Sequence, residues 1–315
     1  MKRFDVNKSL TERRCHARGI IPGGIMKQAI CNLLPPATIA VILMFWAAAP
    51  AAWVDTWWTL MAVSLVVLTF VQVLEWFNER HEGWRINKHE FLTDVFYVAL
   101  NKTAISWAVT TLADDPLAAA KEALGISTLW AKELPFLAQV ALVILLVEFG
   151  QYWLHRLMHN NAWLWSTHAP HHHITQLNAM KGYVGNPIEL FLISLSVVSL
   201  FDLDKAAMFA AFNILTAISV YAHANVRADP PRWYSYFLTT IQHHSLHHTA
   251  LSFEDTRCNY GNCVIVFDRM FGTYREGESS IVGQDERKPL SIAEQFLFPF
   301  QPWIDRYKAK RAGPA

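Results

Sequence analysis

Of the 14 histidines in this chain, eleven fall between His155 and His248, and they are clustered. His155-Arg156-Leu157-Met158-His159 sets two imidazoles at i and i+4. On a helix these lie on one face, a turn apart, so both reach one metal ion. His168-Ala169-Pro170-His171-His172 spaces three imidazoles as HxxHH and runs directly into His173. His223 stands alone before Ala224-Asn225, and His244-Ser245-Leu246-His247-His248 repeats the HxxHH spacing behind His243. An isolated HxxxH is more often a solvated pair, and a lone histidine near a helix end is usually only hydrogen-bonded. Two HxxHH clusters joined to an HxxxH and a fourth histidine are a different matter. They offer nine imidazoles, whereas a structural zinc takes four ligands and a catalytic zinc usually three. The count suits two metals with open coordination positions. Imidazole serves iron, zinc and copper alike, and the absence of cysteine from the clusters argues against iron–sulfur chemistry.

The elements that must carry these clusters are apolar. Residues 37–54 and 58–76 are each about long enough to cross a bilayer, and the short gap between them predicts a helical hairpin. Trp53, Trp57 and Trp58 gather at its turn, where an aromatic belt would sit. Residues 91–113 form a weaker span, interrupted by Asp94, Asn101 and Lys102. Residues 135–153 run without a breaker into His155, and 187–201 with 206–222 predict a second hairpin that ends at His223. The expectation is an all-α membrane protein of four to six spans with a histidine-rich helical cap holding a dimetal site. With six crossings, every cluster falls at the same end of the bundle. Asp94 within an apolar run is a functional candidate, because ionisable groups in membranes rarely lack a purpose.

Composition agrees with this architecture. Hydrophobic residues make up 53% and charged residues 17% of 315 residues, with 13 Trp and 19 Phe, against roughly a quarter charged in a soluble domain. A net charge of +1 gives no reason to expect a nucleic-acid partner. Cys15, Cys31, Cys258 and Cys263 form no CxxC pair and read as free thiols in a reducing compartment. The chain divides into a basic N-terminal tail (1–35), a transmembrane hairpin (36–90), a histidine-box domain (91–275) and a C-terminal tail (276–315). Basic residues in the first tail, with Arg80, Arg85 and Lys88, place both termini and the histidine clusters on the cytoplasmic side. Nothing in the tail reads as a cleaved signal peptide.

A metal cap over a membrane bundle suits a lipid substrate, since drawing each methylene into water costs about 0.8 kcal/mol. The clusters, together with Tyr152-Trp153-Leu154-His155-Arg156, Asn259-Tyr260-Gly261 and Phe267-Asp268-Arg269-Met270-Phe271-Gly272-Thr273-Tyr274, resemble the fatty acid hydroxylase and sterol desaturase superfamily over residues 90–275. The resemblance implies two iron ions held by His155, His159, His168, His171, His172, His223, His244, His247 and His248, which zinc can replace on purification. It also implies O2-dependent oxidation of a lipid C–H bond, hydroxylation before desaturation. Electrons would come from a separate donor of ferredoxin or cytochrome b5 type with its reductase. Glu148 and Phe267 stand where the family often has Asp and Trp, and neither change removes a ligand.

Metal-bound histidines usually pass their second N–H to a carboxylate or carbonyl. Glu148, Asn225, Asp255 and Asp268 are the candidates for that support, and His173 and His243 lie beside the clusters as extra imidazoles. A reading from another class is a membrane zinc-binding protein or transporter using the same histidines. Transport would ask for ionisable groups at mid-membrane in several spans, whereas here the histidines sit at helix ends and in loops.

Overall fold

The computed structural model describes residues 22–284 and 287–312, which are helical with no strand beyond two isolated bridges. Four helices are long and apolar enough to cross a membrane. They are α1 (Pro22–Ala48), α2 (Trp57–Phe77), α5 (Phe136–Asn160) and α8 (Lys205–His223). Between them lie α3 (Lys88–Leu100), α4 (Asp115–Ala123), α6 (Ala162–His172) and α7 (Pro187–Ile193), and α9 (Ile241–His247) follows. The first helix begins well before residue 37. It runs through Pro35 and Pro36, which remove two amide donors but not the apolar packing that sustains the helix. Residues 1–21 of the expected tail lie outside the described residues.

Helix α8 is the axis of the bundle. Ala207, Ala210, Ala211 and Ala217 are fully buried along it, and small side chains let neighbouring helices approach closely where water cannot drive association. Trp46 of α1, Val67 of α2 and Val143 and Val147 of α5 close the same core. A polar link fixes the register of three spans. Trp46 Nε1 donates to Asn213 Oδ1 (2.8 Å), and Asn213 Nδ2 donates to Ser64 Oγ (2.9 Å). Large apolar side chains such as Met44, Val66, Trp76 and Leu145 face outward, as lipid contact requires.

Two ends of the bundle are chemically distinct. At one, Lys205 pairs with Asp55, Lys121 pairs with Asp202, and Gln139 donates to Asp204, which ties the α1–α2 turn, α4 and the starts of α5 and α8 together. At the other lie all the histidine clusters, with Arg80 paired to Asp229 and Glu278. The described residues therefore pass between the ends six times, and among them four passes are regular apolar helices. Residues 88–123 make one of the others, as helix with π-helical turns at Asn101–Ile105 and Thr110–Asp114. Residues 187–201 make the last. Here the expected spanning helix is absent: α7 stops after seven residues and the chain continues as turns to α8. Irregular backbone is tolerated at such depth where it is buried in protein or lines a cavity.

The segment beyond residue 275 packs on the histidine end. Glu278 pairs with His81, Gly283 N donates to the His248 carbonyl, and Asn186 Nδ2 donates to the carbonyls of Gln295 and Phe296.

Candidate metal centre

Each cluster reaches the centre by a local rule. The last turns of α5 carry His155 and His159, one turn apart on its buried face. Asn161 caps α6 by accepting from the amides of Trp163 and Leu164, and α6 then delivers His168, His171 and His172 at its C-terminal end. His223 is the last residue of α8, and α9 with its C-cap supplies His244, His247 and His248. The nine imidazoles resolve into two adjoining groups, one of His155, His159, His168, His172 and His247, the other of His171, His223, His244 and His248. Within each group the ligand atoms lie within 4.8 Å of one another, and all nine residues are buried. The groups touch through His172 and His248, whose ring centroids are 4.4 Å apart.

The tautomers are dictated by what faces the outer nitrogens. His155 Nδ1 lies 2.7 Å from the Tyr260 carbonyl, His171 Nδ1 2.7 Å from Val184, His247 Nδ1 2.7 Å from Cys258 and His223 Nδ1 2.8 Å from Ser219. His168 Nδ1 lies 2.7 Å from Glu189 Oε1. A carbonyl or carboxylate only accepts, so these rings carry their proton on Nδ1 and turn a bare lone pair inward from Nε2. His159 behaves alike, with Nδ1 against the Thr256 hydroxyl, which itself donates to the Phe253 carbonyl. The inner nitrogens then crowd together. Nε2 of His155 and of His168 are 3.0 Å apart, and Nε2 of His223 and of His244 2.8 Å apart. Between His155 and His168 no proton is left to share, so the two lone pairs repel unless a cation lies between them. His159 and His247 likewise have inner nitrogens with no hydrogen-bond partner. Burial supplies the remaining condition, holding His168 down to about 3 and His172, His244, His247 and His248 well below the ordinary histidine range. Imidazoles kept neutral and aimed at one point fit a metal pair.

The supporting residues differ in part from the sequence expectation. Glu148 accepts from the amides of Cys263 and Val264, and Asp268 accepts from those of Tyr260 and Gly261 and from the Thr273 hydroxyl. Both carboxylates therefore hold the 260–264 loop, whose Tyr260 carbonyl orients His155, and act on the histidine one step removed. Asn225 anchors the amides of Arg80 and His81 and contacts no histidine of the two groups. Asp255 lies at the surface with Ser252 and Arg275, too far out to meet an imidazole. His173, against Phe298, and His243, against Tyr274 and the Thr240 hydroxyl, stand outside both groups. The carboxylate that does touch a histidine of the two groups is Glu189, which sequence reasoning passed over. Its signal was an acidic residue within the apolar run that opens at Asn186-Pro187. Asp94, noted from sequence, pairs with Lys181 (2.7 Å) beside Glu90, which buttresses the loop before Gly182.

The Asn259-Tyr260-Gly261 run now has a physical account. Asn259 adopts φ 51°, and its side chain holds the carbonyls of His243 and Arg275, which turns Tyr260 O toward His155. A Cβ on Gly261 would stand 2.5 Å from the Val264 carbonyl, so only glycine fits there. Tyr152 stacks on Phe271 (5.3 Å) and meets the Thr273 hydroxyl (2.9 Å), which ties α5 to the Asp268 hub.

A multi-pass helical bundle that converges nine buried imidazoles at one end defines the class, a membrane protein with histidine groups that could hold metal. Comparison with known proteins finds a family model and relatives that the chain resembles. The fatty acid hydroxylase model matches residues 140–273. Ornithine lipid hydroxylase OlsE of Rhizobium tropici is 28% identical over 256 residues, 78% of this chain and 76% of that protein. Alkylglycerol monooxygenase of Xenopus tropicalis is 27% identical over 51% of the chain, and a Delta(7)-sterol 5(6)-desaturase of Aspergillus fumigatus is 28% identical over 47%. The chain spans 35% and 43% of the length of those two relatives. No solved structure is a significant match. Over residues 140–273 the chain is similar to the fatty acid hydroxylase family.

Proposed function

We propose that this protein is a membrane-bound di-iron oxygenase that hydroxylates, in preference to desaturating, a C–H bond of a lipid. The observation that carries the reading is the pair of adjoining histidine groups with their outer nitrogens anchored and their inner lone pairs opposed. The relatives, an ornithine lipid hydroxylase, an alkylglycerol monooxygenase and a sterol desaturase by name, support the substrate class. Two irons held by these nine histidines would supply activation of O2. In the net reaction one oxygen atom enters the C–H bond and the other leaves as water, with two electrons and two protons from a separate donor of ferredoxin or cytochrome b5 type. The chain's own part is to hold the imidazoles neutral and fixed, through Tyr260, Val184, Ser219, Cys258 and Glu189, and to exclude water. Trp165 and Phe253 cover the first group, with Trp165 5.0 Å from His159 and 5.3 Å from His172. A dry wall protects a reactive site from side reactions.

Metal analysis of protein from iron-replete cells, paired with Mössbauer spectroscopy of an iron-57 sample, tests this. About two irons per chain with a coupled signal, as one would expect of eight or nine imidazoles shared between two ions, would uphold it, and lipid extracts should then gain one oxygen atom only when O2 is present. Zinc alone, with no turnover after iron reconstitution, would favour the zinc-binding reading.

A further inference from the structure

Beneath the histidines lies a cavity of ≈ 230 Å³ whose wall includes His155, His168, His171, His223 and His244. The rest of its lining is mixed, with Leu190, Ile193 and Leu215 among polar side chains. Lys102 and Asn101 line it from the π-helical turn of the 88–123 pass, Gln151 from α5, Thr216 from α8, and Asn262 from the loop that Asp268 holds. Ligand sites use a few placed polar groups to fix orientation and apolar surface to hold the rest. Here both kinds of group line the cavity that the histidines border.

Lys102 is the outlier of that wall. It is half-buried, and among the described residues its ammonium makes no hydrogen bond or ion pair, only a contact over the Tyr183 ring at 5.3 Å from the centroid. Of the carboxylates that line the cavity, Glu189 meets His168 and Glu148 the amides of Cys263 and Val264, each through one oxygen, and neither pairs with Lys102. Lys181, by contrast, is buried with two carboxylate partners, which is how this fold satisfies a structural lysine. An ammonium left without a counter-charge in a confined site costs desolvation energy unless a ligand supplies the anion. The backbone agrees. Single π-helical turns are uncommon and occur frequently at functional sites, and this one places Asn101 and Lys102 together on the cavity.

We propose that Lys102 receives an anionic group of the lipid, a carboxylate or a phosphate, so that the carbon oxidised lies near a charged headgroup and not in the middle of an acyl chain. The inference rests on the lipid-oxidising reading of this cavity and names its substrate class. It is tested by calorimetric titration of zinc-loaded, full-length protein in phosphatidylcholine nanodiscs with three probes: N-palmitoylglycine, its neutral methyl ester, and dipalmitoyl phosphatidic acid. One anion should bind at least about tenfold tighter than the ester, as a charge-assisted hydrogen bond supplies. Lys102→Met should abolish that preference without weakening the ester, and Lys102→Arg should keep most of it. Whichever anion shows the dependence identifies the source. Equal binding of all three probes would overturn the proposal, and so would a preference that persists in Lys102→Met, since the metal's own charge would then account for it. Because the readout is binding, a Lys102-dependent preference in a protein that oxidises no lipid would sink the oxygenase reading and leave the subsite standing. Oxidation of lipids with no such preference would do the reverse.

Discussion

At the scale of single residues, the centre is a problem of proton placement. An imidazole whose outer N–H is fixed by a carbonyl has no choice about which nitrogen it offers, and the protein imposes that choice on six of the nine rings. Glu189 is the anchor supplied by an acidic side chain. Glu189→Ala should lower metal affinity by roughly 10–100-fold, the usual cost of losing a ligand's hydrogen-bond partner, while the chain stays folded; chelator competition measures it, and unchanged affinity would remove Glu189 from the centre. Burial makes a second prediction. In the metal-free protein His168 is held down to about 3 and His243 to about 4, against 6.5 when unfolded. Between those values the unfolded chain binds more protons than the folded one, so stability falls as pH drops below about 6.5. The melting temperature of the metal-free protein should decrease steadily from pH 7 to 5; a flat profile would mean the rings titrate normally.

At the scale of elements, the histidines are placed by loops braced from spans far away in sequence. Glu75 near the end of α2 accepts from the amides of Ala179 and Asn225, one before Gly182 and one just after His223. Gly182 itself has no room for a side chain, since a Cβ would lie 3.1 Å from the His223 ring and from Ser219 Oγ. Gly182→Val should therefore displace His223 and empty the second group, leaving about one metal per chain in place of two if each group holds one ion. Metal-to-protein ratios by mass spectrometry decide the matter, and a full complement would show that the loop yields without moving the ring. On the other side, Asp268→Ala should release the 260–264 loop and lower both turnover and lipid binding, because that loop orients His155 and carries Asn262 of the cavity wall; full retention of both would show that the loop holds without Asp268.

At the scale of the molecule, six passes between two chemically distinct ends put every histidine group at one end. The basic residues Arg80, Arg85 and Lys88 at that end lead us to propose a cytoplasmic location. A fluorescent protein fused to the C-terminus should then fluoresce, and alkaline phosphatase in the same place should stay inactive. Cysteine introduced at Glu122, exposed near the opposite end, should react with an impermeant maleimide on intact cells. Cysteine introduced at Leu251, exposed at the histidine end, should not. The reverse pattern would invert the topology and with it the side from which electrons arrive.

Much of this was readable before folding. Apolar runs set the main spans because a bilayer demands length and apolarity of a segment by itself, and α2, α5 and α8 begin and end within a residue or two of expectation, apart from the seven residues by which α5 extends over its histidines. The histidine spacings pointed to a candidate metal centre because i, i+4 geometry is local. The sequence could not show that residues 187–201 break after one short helix, since apolarity alone does not distinguish a span from a cavity wall. Nor could it partition nine imidazoles into groups of five and four, or tell that Glu189 touches a ring while Asp255 does not. Those facts depend on contacts between residues far apart in the chain, such as His155 with Tyr260 and His171 with His248. The decision belongs to packing around α8, where close helix approach fixes which loop carbonyl faces which nitrogen.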